Sequence, residues 1–449
     1  MEGRKAIADG ESILRYIKET AASEGIDDHP IRAPGPQRRV VDERRAMDRR
    51  GRAARRRRHR RALALTYDFL FSCSGYYRYD QGYTPDFPGV EDFGGEVVHP
   101  QFWPEDLEVA DKRVVVIGSG ATAVTLVPSL AGEAEHVTML QRTPGYVASL
   151  PAANPLANVL RKVLPKRLSG PLVRWIFALG TLASFTLSRR WPKVVKASLR
   201  RDLTRRLPDG YDVDTHFTPP YDPWDQRLCV VPDGDLFTAI RRGEVSVVTD
   251  HIESFTETGI TLRSGETLEA DIVVTATGLE LLFAGGMTLR VDGEDVNLPD
   301  KLTYKGMMLE DVPNLALAIG YTNASWTLKC ELTCQYVCRV LNHLRTAGLR
   351  QATPHNHDST ISPAPLLGLT SGYITRASDR FPRQGTRYPW QVYQNYLRDY
   401  RAMKVSGLAD EAMEFSNPPH LPEIGTGRVD DPGGPDVRER SEARGRVVA

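Results

Sequence analysis

Apolar positions recur along this chain in two periods, and each period predicts a different kind of element. Val114, Val115, Val116 and Ile117 form an unbroken β-branched run, the pattern of a strand buried on both faces. The run ends in Gly118-Ser119-Gly120, after which small residues open a helix, and a second strand is predicted at 137–141. The segment 112–142 therefore reads as a β-α-β unit. Further strands are predicted at 245–249, 259–262 and 271–278, the last ending in the small-residue turn Ala276-Thr277-Gly278. Residues 67–75 read as another buried strand, ending in the turn Cys73-Ser74-Gly75.

Helical spacing takes over elsewhere. Ile13, Leu14, Ile17 and Ala21 fall on one side of a predicted helix at 6–24, and 151–208 is helical and basic. A third helix is predicted at 326–345, opened by Asn323-Ala324-Ser325 as its N-cap. Between them lie a connector rich in Pro, Gly and aromatics at 76–110 and a proline-rich loop at 211–227. From 417 onward Pro, Gly and charge leave little to bury, which predicts disorder. The block 31–61 has no period: it holds 14 Arg, no Lys and no aromatic residue.

Length and charge narrow the class. A chain of 449 residues can form two or three domains with real cores. A net charge of +1 favours neither nucleic acid nor an acidic partner overall. Residues 1–10 lack the apolar core of a secretory signal, so a cytoplasmic location is expected. The apolar stretch 175–187, bounded by Arg174 and Arg189-Arg190, is shorter than the roughly 20 residues of a membrane span. It reads as a buried or interfacial helix, and its basic flanks leave peripheral membrane contact open. The five cysteines are expected to be free thiols. Cys330, Cys334 and Cys338 share one helical face without His or Asp at ligand spacing, so no metal site is expected there. They read as small apolar residues on a buried stripe.

The glycine turn carries the first chemistry. Gly118 and Gly120 have the spacing of a dinucleotide turn, with Ala123 in the third small position. Such glycines let the N–H groups of Gly118, Ser119, Gly120, Ala121 and Thr122 approach a pyrophosphate at a helix N-terminus. The second strand ends in Gln141-Arg142-Thr143, where an NAD enzyme would carry Asp or Glu for the ribose. A guanidinium suits a 2′-phosphate, so NADP(H) is expected, with Gln141 and Arg142 at the nucleotide.

Just ahead of this turn stands Phe93-x-Gly95-x-x-x-His99-x-x-x-Trp103-Pro104. This pattern matches the fingerprint of Baeyer–Villiger monooxygenases, flavoenzymes that insert oxygen beside a carbonyl or oxidise sulfur. Gly320-Tyr321-Thr322-Asn323-Ala324-Ser325-Trp326 and Gln394-Asn395-Tyr396-Leu397-Arg398 resemble the ethionamide-activating branch of that family. The resemblance implies an α/β, Rossmann-like flavoprotein with two dinucleotide-binding domains and a helical insert. Its parts would be part of the FAD domain at 1–75, the connector at 76–110, an NADP-binding domain at 111–278 with the insert 151–208, and the rest of the FAD domain at 279–416. Cys73-Ser74-Gly75 and Ala276-Thr277-Gly278 would be the two crossings between domains, Thr277 and Gly278 lying at the cofactor. Phe93, Gly95, His99 and Trp103 would form a hinge that coordinates domain movement. Arg227, in Pro223-Trp224-Asp225-Gln226-Arg227, matches the family's active-site arginine; an ion pair with Asp225 or another carboxylate is its structural alternative. The helix opened by Asn323 would point its positive end at the flavin. The implied reaction uses NADPH, FAD and O₂, forms a C4a-peroxyflavin, and oxygenates a small lipophilic ketone or sulfur compound.

The pattern departs from the family in two places. The family's own FAD-binding β-α-β unit, its Gly-Gly-[Thr/Ser]-Trp and Tyr-Pro-Gly segments and the aspartate that partners the arginine are missing from the sequence. The chain starts just downstream of them, at Arg4-Lys5-Ala6-Ile7-Ala8-Asp9-Gly10, which reads as an N-terminal truncation. The arginine block replaces an expected β-ribbon, and arginine without lysine is what GC-rich codons give in a wrong frame, here from about Asp28 to Ala64. Three readings follow: a monooxygenase, a catalytically silent NADP-binding remnant, or a polyanion-binding protein acting through the arginine block.

Overall fold

The structure, a computed structural model, describes residues 10–26 and 67–417. The arginine block at 31–61 and the stretch from 418 onward, with the expectations attached to them, lie outside the described residues. Helix α1 (Gly10–Ser23) forms inside the first helical period, but it buries none of its residues, and Ile13, Leu14 and Ile17 are exposed.

Strands β1 (Leu70–Ser72) and β2 (Tyr77–Gly82) lead into the connector, which holds β3 (Glu96–Val98). The predicted β-α-β unit follows as β4 (Arg113–Ile117), α2 (Ala121–Leu130) and β5 (His136–Gln141). After β6 (Val147–Leu150) the chain turns helical through α3 (Pro155–Val163), α4 (Lys166–Arg190), α5 (Pro192–Arg206) and α6 (Val213–Phe217). It returns by β7 (Cys229–Pro232), α7 (Asp235–Arg241) and β8 (Val245–Thr249). An antiparallel meander, β9 (Ile252–Thr256), β10 (Gly259–Leu262) and β11 (Thr267–Glu269), then precedes β12 (Ile272–Thr275).

Five of these strands pair in the order β3-β12-β4-β5-β8, all parallel. A parallel sheet must be covered on both faces, and the alternation of side chains along each strand divides the work. Val114, Val116, Val137, Met139 and Val274 pack against α2 and α7, in one core with Val124, Val127, Leu236 and Phe237. Val115, Ile117, Leu140 and Val273 turn the other way, onto Phe255, Ile260 and Leu262 of the meander. The starts of the neighbouring strands β4 and β12 are tied by Asp271, which accepts the Arg113 backbone N–H (2.8 Å) and its guanidinium (2.9 Å). Arg113 holds the Asp271 carboxyl down at about 2.

The C-terminal part packs around a second core that includes Tyr304, Tyr336, Trp390 and Met403. There β1 pairs in parallel with the strand Leu315–Leu317, and the long helix α8 (Trp326–Ala347) ends at Gly348 in the left-handed region (φ 65°). Within the insert, α4 leans on this core, while Leu203 and Leu207 at the end of α5 pack into the core of the sheet. Ala178 of α4 is buried in the C-terminal core, the Trp175 ring meets Tyr396 and Tyr400 edge-on at 5.4 Å each, and Arg174 pairs with Glu331.

Three expectations change here. The 211–227 loop contains α6, which Asp212 caps by accepting the Thr215 N–H (3.0 Å). Helix α4 is not buried along its apolar stretch, because only one side of it meets the core. The three cysteines of α8 are not a buried stripe either: Cys334 and Cys338 are exposed, and Cys330 is half-buried. The buried face of α8 is rotated away from them, through Leu332, Thr333, Tyr336, Val337 and Val340. Among the described residues all five thiols are free, and no cluster of His, Cys, Asp and Glu could hold a metal.

Candidate functional site

The turn after β4 is shaped by two glycines with different tasks. Gly118 leaves the strand at φ 141°, and a β-carbon there would stand 2.4 Å from the Ala276 carbonyl oxygen. Glycine is therefore what lets the ends of β4 and β12 touch. Gly120 has an ordinary backbone (φ −81°), and a β-carbon on it would meet nothing within 4 Å. It opens α2 without a side-chain cap, so the N–H groups of Ala121, Thr122 and Ala123 lack helical acceptors at an open face. That is the geometry in which a helix N-terminus stabilises an anion. Ala123 is fully buried where α2 crosses the sheet, and Ser119 Oγ donates to the Thr143 carbonyl (2.9 Å).

The loop so tied carries Arg142, which is exposed and has no hydrogen-bonding or ionic partner among the described residues. Its neighbour behaves otherwise. Gln141 is 2 % exposed, and its amide donates to the His216 carbonyl (2.8 Å) and to Thr249 Oγ1 (2.9 Å). Gln141, expected at the nucleotide, has its amide engaged in holding β5 to β8 and α6.

The fingerprint residues separate into packing and joining groups. The Phe93 ring is buried edge-on to Phe255 (5.9 Å), and a β-carbon on Gly95 would stand 2.3 Å from the Asp271 carbonyl and 2.6 Å from the Phe93 ring. Trp103 packs on the core under α2. His99 instead reaches the second crossing, with Nε2 3.3 Å from the Gly278 carbonyl, while Nδ1 accepts the Gln101 N–H (3.2 Å). The acceptor role of Nδ1 places the proton on Nε2, which donates to Gly278. The ring lies flat on Gly82, where a β-carbon would come within 2.1 Å of it. Tyr83 N–H donates to the same Gly278 carbonyl (3.2 Å), and Thr277 Oγ1 donates to the Tyr83 carbonyl (2.7 Å). Arg376 covers this knot, its guanidinium 3.4 Å from the Tyr83 ring centre.

Arg227 lies on the loop before β7, exposed, and no side-chain hydrogen bond or ion pair engages it among the described residues. The expected alternative partner is taken: Asp225 pairs with Arg189 (2.6 Å), which holds its carboxyl below the usual range, and accepts the Asp222 N–H (3.0 Å). Thr370 anchors the loop by donating its N–H (2.9 Å) and Oγ1 (3.0 Å) to the Asp225 carbonyl. The charge of Arg227 reaches Tyr76 and Tyr373; burial pushes Tyr373 up to about 12, and the guanidinium opposes that rise. Tyr76 in turn packs on Trp326, the first residue of α8, with ring centres 5.0 Å apart. Arg227, the 73–75 turn and the start of α8 thus converge.

The cap of α8 differs from the sequence reading. Ser325 is the N-cap residue and makes no side-chain cap bond, while Asn323 Nδ2 donates to the Gln394 carbonyl (2.8 Å). Asn323 Oδ1 is buried without a partner among the described residues, at a small cleft, partly open to solvent, between this segment and Ala178, Thr181 and Leu182 of α4. Behind it, Tyr321 O–H donates to Asp399 (2.7 Å), and Lys329 Nζ lies 3.0 Å from the same oxygen, both lysine and aspartate being buried. Burial lowers the Lys329 pKa and Asp399 opposes that fall. This triad, the Arg376–Tyr83 stack and the Arg189–Asp225 pair carry no local sequence signal, since Asp399 lies 70 and 78 positions from Lys329 and Tyr321, Arg376 lies 293 from Tyr83, and Asp225 lies 36 from Arg189.

Residues 53–347 match the family described as flavin-binding monooxygenase-like. The chain is 48 % identical over 418 residues to the FAD-containing monooxygenase EthA of Mycobacterium tuberculosis (strain ATCC 25618 / H37Rv), covering 93 % of this chain and 85 % of EthA. It is 48 % identical over 350 residues to the probable FAD-binding monooxygenase AlmA of Acinetobacter baylyi, covering 78 % and 70 %. In fold it is similar to an oxidised steroid monooxygenase bound to NADP, with a TM-score of 0.58 at 17 % identity over 78 % of this chain and 75 % of that one. The chain belongs to the flavin-binding monooxygenase-like family and has the fold of its two-dinucleotide flavoproteins.

Proposed function

We propose that this chain is an NADPH- and FAD-dependent monooxygenase of the Baeyer–Villiger type, acting on small lipophilic ketones or sulfur compounds. The observation that carries the reading is the open turn at Gly120 beside Arg142, which has no partner among the described residues, joined through Ala276 to the knot at Gly278. NADP(H) fits it: α2 N–H groups meet the pyrophosphate and Arg142 the 2′-phosphate. The relatives' names bring FAD to the chain. Its flavin end fits the 73–75 turn, where Gly75 is left-handed (φ 67°), the uncapped start of α8, and Asn323 with its free Oδ1. For its adenosine end, no second strand–glycine turn–helix occurs among the described residues.

FAD, when bound, supplies the activation of O₂ that side chains cannot. The chain's own groups do the rest. Arg227 is a permanent cation with no carboxylate partner among the described residues, so it stabilises negative charge developing beside Tyr76 and the start of α8. His99 and Trp103 couple movement of the connector to the crossing at Thr277 and Gly278. The small cleft at Asn323 is walled by Ala178, Leu182, Ala324 and Leu328 together with the polar groups of Thr181, Tyr321 and Gln394, a lining on which a lipophilic substrate could rest its apolar part.

A second reading, an NADP-binding remnant, is favoured by the single dinucleotide turn among the described residues. Incubation of the purified chain with FAD, followed by gel filtration, separates the two. Flavin absorbance that travels with the protein and bleaches on NADPH addition supports the monooxygenase; NADPH binding without retained flavin supports the remnant.

A further inference from the structure

The helical insert has a surface that the reaction does not use. Along α4, Leu168, Leu172, Ile176 and Leu179 fall within one narrow arc of the helix and are 60, 41, 38 and 44 % exposed. Leu156, Val159 and Val163 form a similar exposed stripe on α3, which packs against α4. Scattered exposed leucines are ordinary, but an aligned row on two adjoining helices is the mark of an interaction surface.

Charge identifies what it meets. Residues 151–208 contain 13 Lys and Arg against one acidic residue, Asp202, in a chain whose net charge is only +1. Several of these cations are already engaged: Arg174 by Glu331, Arg189 by Asp225, Lys196 by Asp222, Arg200 by Asp214 and Arg206 by Asp202. Lys162, Arg167, Arg190, Lys193, Arg201 and Arg205 are exposed and have no partner among the described residues. Arg167 and Arg190 bracket the α4 stripe, and exposed Trp191 follows at its end. Apolar rows edged by unpaired cations and a tryptophan are the pattern of a helix that lies in a membrane interface.

We propose that the α3–α5 insert docks flat on an anionic lipid bilayer. By length and composition α4 could also cross a membrane. Its inner side is committed elsewhere, with Ala178 buried in the C-terminal core, Trp175 against Tyr396 and Tyr400, and Arg174 on Glu331. That inner side also supplies Ala178, Thr181 and Leu182 to the cleft at Asn323. One helix, about 10 Å across, therefore separates the docked lipid from the cleft. Resting on the oxygenation reading above, the substrate class is lipophilic molecules dissolved in the bilayer. Docking itself needs no cofactor and no turnover.

The test is sedimentation of the full chain with vesicles of phosphatidylcholine alone and of phosphatidylcholine with phosphatidylglycerol. Binding to the mixed vesicles at least tenfold tighter than to the neutral ones, weakening as salt is raised, is expected. L172D/I176D should lower that binding at least tenfold, and R190E/K193E should lower it about tenfold or more while sparing the fold, since all four residues are exposed. Trp191 should be quenched by brominated lipid, a signal that W191F loses. The proposal is overturned by equal binding to neutral vesicles, by no binding, or by unchanged binding of both variants. It is also overturned if sedimentation equilibrium shows a dimer that L172D/I176D dissociates while vesicles are ignored; the face would then belong to a second copy. If vesicles bind but no flavin is retained, docking stands and the oxygenation reading fails.

Discussion

Substituting alanine at Gly118 and at Gly120 should damage two different properties, although the residues are two positions apart. At Gly118 a side chain would have to accept φ 141° and open a 2.4 Å contact with a backbone carbonyl that the β4–β12 pairing holds in place. An L-residue in such a region costs about 1–3 kcal/mol, and the displaced strand end adds roughly 1 kcal/mol more. G118A should therefore lose about 2–4 kcal/mol of a stability that is typically about 5–15 kcal/mol. Gly120 already has a backbone any residue adopts, and its β-carbon would enter open space. G120A should keep its stability to about 0.5 kcal/mol. The same methyl would stand where a pyrophosphate approaches the α2 N–H groups. Losing one hydrogen bond to a charged group costs about 1.5–3 kcal/mol, a roughly tenfold to hundredfold rise in the Kd for NADPH. Urea unfolding of both variants, with fluorescence titration of NADPH into G120A, tests the pair. A G120A protein that binds NADPH like the parent would refute the cradle, and a G118A protein of parental stability would refute the Ala276 contact.

Two further substitutions probe the nucleotide preference and the sheet. R142A should raise the Kd for NADPH about tenfold to hundredfold, by loss of charge-assisted hydrogen bonds to the 2′-phosphate, and leave NADH binding unchanged; parallel titrations decide. Asp271 titrates at about 2 in the folded chain against an ordinary 3.8. A depressed carboxyl contributes stability that is complete above its unfolded pKa and lost as pH falls through the folded one. D271N should accordingly lower the urea midpoint at pH 6, with the difference closing between about pH 4 and pH 2. The effect should be modest, because both Arg113 and Asp271 are partly exposed and screened. A difference that persists undiminished at pH 2 would show that the ion pair is not its source.

The parts of the fold that were legible in the sequence are those fixed by short-range pattern. The run Val114 to Ile117, the glycine turn and the strand at 137–141 appear at the predicted places because one buried β-α-β unit needs all three. The strands at 245–249 and 259–262 match their predicted bounds for the same reason. Long-range partners decided the rest. Gln141 stands at the residue position where a cofactor contact was expected, yet the His216 carbonyl and Thr249, 75 and 108 positions away, capture its amide. Asp225 is two residues from Arg227, and only the docking of α4 shows that Arg189 takes it. The cysteines of α8 do share a face, but periodicity alone cannot say which face is buried. His99 is the opposite case: its place in the fingerprint is visible in the sequence, and the structure adds that Gly278 is its partner.

The central claim is that Arg227 serves oxygen transfer by a chain that also binds NADP(H). Its most direct measurement is turnover under ¹⁸O₂ by the FAD-supplemented protein, with NADPH and a lipophilic ketone or thioether, read by mass spectrometry of the product. The account predicts one ¹⁸O atom per product molecule from the parent chain. It predicts none from R227A, although R227A should bind NADPH as the parent does. Labelled product at the parental rate from R227A, or no labelled product from a parent chain that retains its flavin, would contradict it.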